Sequence, residues 1–148
     1  MADNRLKEYK KILLVVDLSD DSRIIGERAK VIAACYASEI TLLHVVEYVP
    51  VEPMGEALLP TVQIESELVD RAKVKLAELA QQLSLSASPR LVETGSIKAE
   101  IVRAAQRIGA DLIVLGSRER HGLAILLNFT EDTVLHAAPC DVLAVRLH

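Results

Sequence analysis

The sequence predicts an α/β fold in which one doubly wound sheet of five parallel strands carries helices on both faces. Three observations predict it. Short apolar runs rich in β-branched residues alternate with longer segments of helical period along the whole chain. Hydrophobic residues make up 51% of the chain while aromatics make up 3% and Trp is absent, so the core is Leu, Ile, Val and Ala, which suits strands buried on both faces. A length of 148 residues suits one domain, taken as 1–148 with a polar tail over 1–9.

Each element follows from its pattern. Lys11 to Asp17 (KILLVVD) is an apolar run bounded by Ser19 and two acids, and reads as a buried strand. Ser19 is expected to cap the helix that follows, with Asp20 and Asp21 opposing the dipole in its first turn. Ile25, Ala29, Ile32, Ala33 and Tyr36 mark the buried face of that helix. Glu39 to Val46 is the second strand. Pro50, Pro53, Gly55 and Pro60 make 47–62 an irregular loop. Gln63 to Leu83 is a helix, with Val69, Ala72, Leu76, Leu79 and Leu83 inward and a Glu67–Arg71 surface pair worth about 0.3 kcal/mol. Arg90 to Glu93 is the third strand, and Gly95-Ser96 turns into a helix that buries Ile97, Ile101, Ala105 and Ile108 and stops at Gly109. Asp111 to Gly116 is the fourth strand, a shorter helix lies near Thr130 to Ala137, and Asp141 to Arg146 is the fifth strand. Such alternation implies parallel strands joined by right-handed crossovers.

Composition excludes several functions. The formal net charge is −4, from 17 basic and 21 acidic residues, which argues against a nucleic-acid or anionic-membrane partner. No apolar run approaches the roughly 18 residues of a membrane helix. The polar start MADNRLKEYKK is not a signal peptide, so a cytoplasmic location is expected. Cys35 and Cys140 are far apart without a CxxC and are expected to be reduced and buried. No G-x-S-x-G elbow, HExxH or Walker loop is present, so no catalytic residue is assigned. His44, His121, His136 and His148 are not spaced as ligands, so no metal is expected; His44 reads as a satisfied imidazole in the core or at a strand end. Asp17 as a phospho-acceptor would need further acids and a lysine around it, and Asp20 and Asp21 are assigned to the helix terminus.

In open α/β sheets a ligand binds beyond the carboxyl ends of the strands, where strand order reverses. Two such ends are chemically marked: Asp17 on the first strand and Gly116-Ser117 on the fourth. If these strands are neighbours they flank one crevice. Asp17 can accept hydrogen bonds from ribose hydroxyls or an adenine amine, or it can brace the Ser19 cap. Gly116 can admit a ligand to the backbone, or serve as a turn glycine.

VVDLSDDS, LLHVVE, DLIVLGSRERHG and APCDVLAVR, in that order, resemble the universal stress protein family over nearly all of residues 10–147. The resemblance implies strand order 3-2-1-4-5 in a Rossmann-like, adenine nucleotide alpha hydrolase-like sheet, a homodimer, and a cytoplasmic role in stress survival. Many members bind ATP through a G-x-x-G-x9-G-[S/T] loop after the fourth strand. On that pattern Gly116 matches the first glycine, Glu119 stands at the second, Phe129 (or Asn128, in a loop one residue shorter) at the third, and Thr130 at the hydroxyl position. Leu18 stands where ATP-binding members often have glycine, and VDLS resembles the A-type members, whose loop lacks these glycines and which do not bind ATP. The candidate nucleotide site implied is Val15, Asp17 and Val45 at the first two strands, Leu115, Gly116, Ser117 and Arg118 at the fourth, and Gly122, Asn128, Phe129 and Thr130 in the loop.

Physics of the loop points the same way. Phosphates need converging backbone N–H groups, and glycine permits the approach. Glu119 at about 4 Å from a phosphate charge, at an effective dielectric near 20, repels it by roughly 4 kcal/mol before screening. Arg118, Arg120, His121 and Gly122 work in the opposite direction. Glu119→Gly is therefore expected to strengthen nucleotide binding measured by calorimetry. No cofactor is required by the residues; ATP with Mg is the one the resemblance makes available. The last strand, Asp141 to Arg146, is expected at a sheet edge, where pairing with a second copy covers it. The expected function is a dimeric stress-response module acting through protein interaction without tight ATP binding. The alternative is an adenine-nucleotide sensor. Protein partners other than a second copy are not named by the sequence.

Overall fold

The computed structural model describes residues 8–47, 58–118 and 134–147. Five parallel strands form one sheet in the order β3-β2-β1-β4-β5, as expected. They are β1 (Lys11–Val15), β2 (Glu39–Glu47), β3 (Arg90–Gly95), β4 (Leu112–Arg118) and β5 (Asp141–Leu147). Helices α1 (Ser22–Tyr36) and α2 (Leu58–Gln82) cover one face; α3 (Ile97–Ile108) and a helical turn at 134–137 cover the other.

Alternation along each strand divides the core. Ile12, Leu14, Leu42 and Val114 meet Ile25, Leu76 and Leu83 on the α1/α2 face. Leu13, Leu43, Ile113 and Leu115 meet Ile101, Ala104 and Val134 on the other. Both clusters are aliphatic, as composition requires. Truncating a fully buried side chain such as Leu76 to Ala costs about 2–5 kcal/mol.

Helix ends depart from expectation. α1 starts at Ser22, with Asp21 at the N-cap and no side-chain cap bond, so Ser19 is not its cap and Asp20 and Asp21 are not in its first turn. The reason lies in Asp17, described below. α2 begins at Leu58, inside the stretch expected to be an irregular loop; Pro60 is tolerated there because first-turn N–H groups have no helical partner. All three helices end on a left-handed residue: Ala37 (φ 51°), Ser84 (φ 58°) and Gly109 (φ 68°). Glycine signalled only the last. Among the described residues the ion pairs do not include Glu67–Arg71; both side chains are exposed and solvated. Cys35 is exposed on α1 and Cys140 half-buried, so the expectation that both thiols are buried fails; Cys35 falls off the apolar face.

Sheet register opens the crevice. The β1–β4 ladder ends at Leu14↔Val114. β4 runs on beside β5 as far as Arg118↔Leu147. β1 and β4 are therefore neighbours that part beyond this rung, at the point where strand order reverses. β5 is an edge strand, also as expected.

Candidate functional site

The crevice is bounded on one side by the turn after β1. Asp17 leaves the strand with an exposed carboxylate. Its Oδ1 accepts the backbone N–H of Ser19 at 2.9 Å and the hydroxyl of Ser22 at 3.1 Å. The first bond closes an Asx turn. Ser22 is 1% exposed, and its N–H donates to the Ser19 carbonyl at 3.0 Å. A carboxylate two residues ahead thus takes the place expected for the Ser19 hydroxyl, and α1 starts two residues later than expected. Partial burial raises the Asp17 pKa, but the bonds from Ser19 and Ser22 outweigh it and hold the carboxyl below its ordinary value.

Leu18, between these groups, has φ 63°. The turn adopts the left-handed backbone that glycine favours, with a leucine in it. Its side chain packs against the α1/α2 core. It therefore points away from the α3 side of the crevice.

On β2, His44 Nδ1 lies 2.8 Å from the Val16 carbonyl oxygen, so the imidazole is a satisfied strand-end group, as expected. Val45 and Leu115 are 8% and 6% exposed, and with Val15 they belong to the α3-side core.

The β4 side is built differently. Gly116 lies within the strand, not in a turn, and its φ is not positive. A Cβ there would sit 2.7 Å from Ile25 Cδ1 and 2.8 Å from Leu147 Cδ1. The space a side chain would take is filled by core, which gives the glycine a packing role. Ser117 is half-buried and paired with Arg146, and Arg118 is paired with Leu147 at the end of β4. Glu119, Arg120, His121, Gly122, Asn128, Phe129 and Thr130 lie outside the described residues, as does His148. Sequence reasoning missed Ser22 and the Leu18 conformation. The spacing Asp17, Ser19, Ser22 was a readable signal for an Asx turn; the sign of the Leu18 φ had none.

Among the described residues no group of three His, Cys, Asp or Glu side chains is placed to hold a metal, and no helix is long and apolar enough to cross a membrane.

The family model for the "Universal stress protein family" matches residues 8–146. The chain belongs to the universal stress protein family. It is 38% identical over 143 residues to Universal stress protein A homolog 2 of Coxiella burnetii, covering 96% of this chain and 98% of that relative. The solved structure of universal stress protein UspA from Lactobacillus plantarum superposes with a TM-score of 0.79 at 26% identity, covering 95% of this chain and 99% of that one. A universal stress protein solved in complex with cAMP shares the fold with a TM-score of 0.62 at 19% identity, covering 94% and 98% of the two chains. At the end of β1, Asp17 supplies a carboxylate and Leu18 stands in left-handed backbone at the position where the family resemblance leads one to expect glycine. The Gly116 match on the β4 half is accounted for by the core contacts of Ile25 and Leu147.

Proposed function

We propose that this universal stress protein is a cytoplasmic, dimeric stress-response module that acts through protein interaction without tight ATP binding. The observation that carries the reading is the contrast between β5 and the crevice. β5 is a seven-residue edge strand with no Pro or Gly and with Ala144 exposed. Its outer side is suited to pairing with a second β5 about a two-fold axis, which would continue the sheet. In the crevice, by contrast, Gly116 serves the core, and the loop sequence that follows puts Glu119 and Phe129 at glycine positions.

Ala144→Arg tests the dimer. The added charge, repeated across the two-fold axis and next to Arg146, disfavours pairing while leaving the exposed site compatible with a folded monomer. Light scattering after size exclusion is expected to fall from twice the 16.2 kDa chain mass toward that mass. A variant that elutes with the wild type would remove the edge-pairing model.

A second reading, an adenine-nucleotide-binding sensor with Mg-ATP as ligand, is favoured by Asp17. Its exposed carboxylate and depressed pKa suit hydroxyl or amine donors, and Leu18 does not fill the crevice. Mass spectrometry of the freshly purified, denatured protein separates the readings. Stoichiometric ATP or AMP supports the sensor; no nucleotide, and no heat on titration with Mg-ATP, supports the interaction module.

A further inference from the structure

We propose that His44 is a positioning residue for the Asp17 carboxylate: its imidazole holds the peptide from which Asp17 springs, and so sets the acceptor that faces the crevice.

β1 loses its second neighbour near its carboxyl end. Beyond Leu14↔Val114 the chain has no rung to β4. Among the described residues Val16 is held by hydrogen bonds from the β2 side. Its N–H donates to the Leu43 carbonyl at 3.0 Å, and its carbonyl lies 2.8 Å from His44 Nδ1. Val16 is 2% exposed, so an unpartnered carbonyl there would be costly. A carbonyl oxygen can only accept, so Nδ1 carries the hydrogen, and in neutral imidazole Nε2 is then unprotonated. This side-chain bond fixes the plane of the Val16–Asp17 peptide. The next two residues depend on that plane. Asp17 directs Oδ1 at Ser19 N and Ser22 Oγ, and Leu18 takes φ 63°, a conformation that persists only where its surroundings over-determine it. With the imidazole removed, the peptide is free to rotate, and the strained turn relaxes before the regular strand does.

The proposal concerns the same crevice as the readings above but does not depend on which ligand enters it, or on whether one does. It differs from a packing role in a way that two variants separate. In His44→Asn the amide Nδ2 occupies the branch position of Nδ1 and can donate to Val16 O. In His44→Leu the bulk is kept and the donor is lost. The measurement is titration of the Asp17 carboxyl carbon by NMR in wild type, H44N and H44L. The wild type and H44N are expected to titrate together, below the ordinary aspartate range, with H44L shifted up toward that range. Equal titration in the two variants, or a shift in H44N and none in H44L, would overturn the proposal. A measurement on the wild type alone keeps it testable if H44L does not fold: the side-chain 15N shifts of the neutral His44 imidazole must report Nδ1–H with unprotonated Nε2. The opposite tautomer would also overturn it.

Discussion

At the end of β1 the chain turns on a polar network, whereas at the end of β4 it runs straight on between aliphatic side chains. The β1 side comprises Asp17, Ser19 and Ser22, with Leu18 at φ 63° between them and His44 behind. The β4 side comprises Gly116 under Ile25 and Leu147. Both ends border one crevice and both match the family sequence pattern; among the described residues the first presents a carboxylate and two serines, and the second a glycine packed under aliphatic side chains. A motif match at a single glycine therefore does not distinguish a phosphate contact from a packing contact; the position of the absent Cβ does.

The largest expected effect breaks the β4 side. Gly116→Ala places a methyl 2.7 Å from Ile25 Cδ1 and 2.8 Å from Leu147 Cδ1, closer than van der Waals contact, so both side-chain tips must shift within a packed core. Destabilisation of about 2 kcal/mol is expected in urea denaturation. Ile25→Val removes one of the two clashing carbons, so the double variant should be less destabilised than the sum of the singles. Strict additivity would mean that the glycine is required for something other than core packing.

The same contrast explains what was legible in the sequence. Strand identity and the aliphatic core follow from runs such as KILLV and DLIVL, because burial on two faces demands unbroken aliphatic sequence, whereas the strand order comes from the family resemblance. Asp17 was marked by chemistry, as a carboxylate at a strand end. The helix that follows starts later than a Ser19 cap would place it because the Asp17 carboxylate accepts from both Ser19 and Ser22, which only the turn geometry shows. Ala37, Ser84 and Leu18 adopt left-handed backbone without a glycine to announce it. Side-chain type biases that conformation weakly, and packing further along the chain overrides the bias. Gly116 was legible as a glycine but not as a packing glycine, since Ile25 and Leu147 are brought to it only by the completed sheet.

A smaller effect tests the β1 network through pH. The Asp17 carboxyl titrates below its ordinary value when folded. A group of this sign contributes stability that is present above its unfolded pKa, about 3.9, and that is lost as pH falls through the lower folded value. Asp17→Ala should cost about 1 kcal/mol at pH 7, at the low end for bonds to a charged acceptor because the carboxylate is exposed. The gap between wild type and variant should narrow as pH drops below the unfolded value. A gap that is constant down to pH 2 would show that the charged carboxylate is not what secures the turn.

The smallest effect concerns Leu18, and here the ordering matters more than the size. Leu18→Ala and Leu18→Gly lose nearly the same contact with the α1/α2 core. They differ in backbone. At φ 63° alanine retains the steric cost of a left-handed residue, about 1–2 kcal/mol, which glycine does not have. Glycine in turn loses about 0.4–1 kcal/mol through greater freedom in the unfolded chain. The glycine variant should therefore be the more stable of the two by roughly 0.5 kcal/mol, the reverse of their order at a site with negative φ. Chemical denaturation of the pair decides it. An alanine variant that equals or exceeds the glycine variant would mean that the turn relaxes to negative φ once the leucine is gone. In that case the left-handed conformation would belong to the Leu18 side chain's anchorage in the core, and not to the Asp17 turn around it.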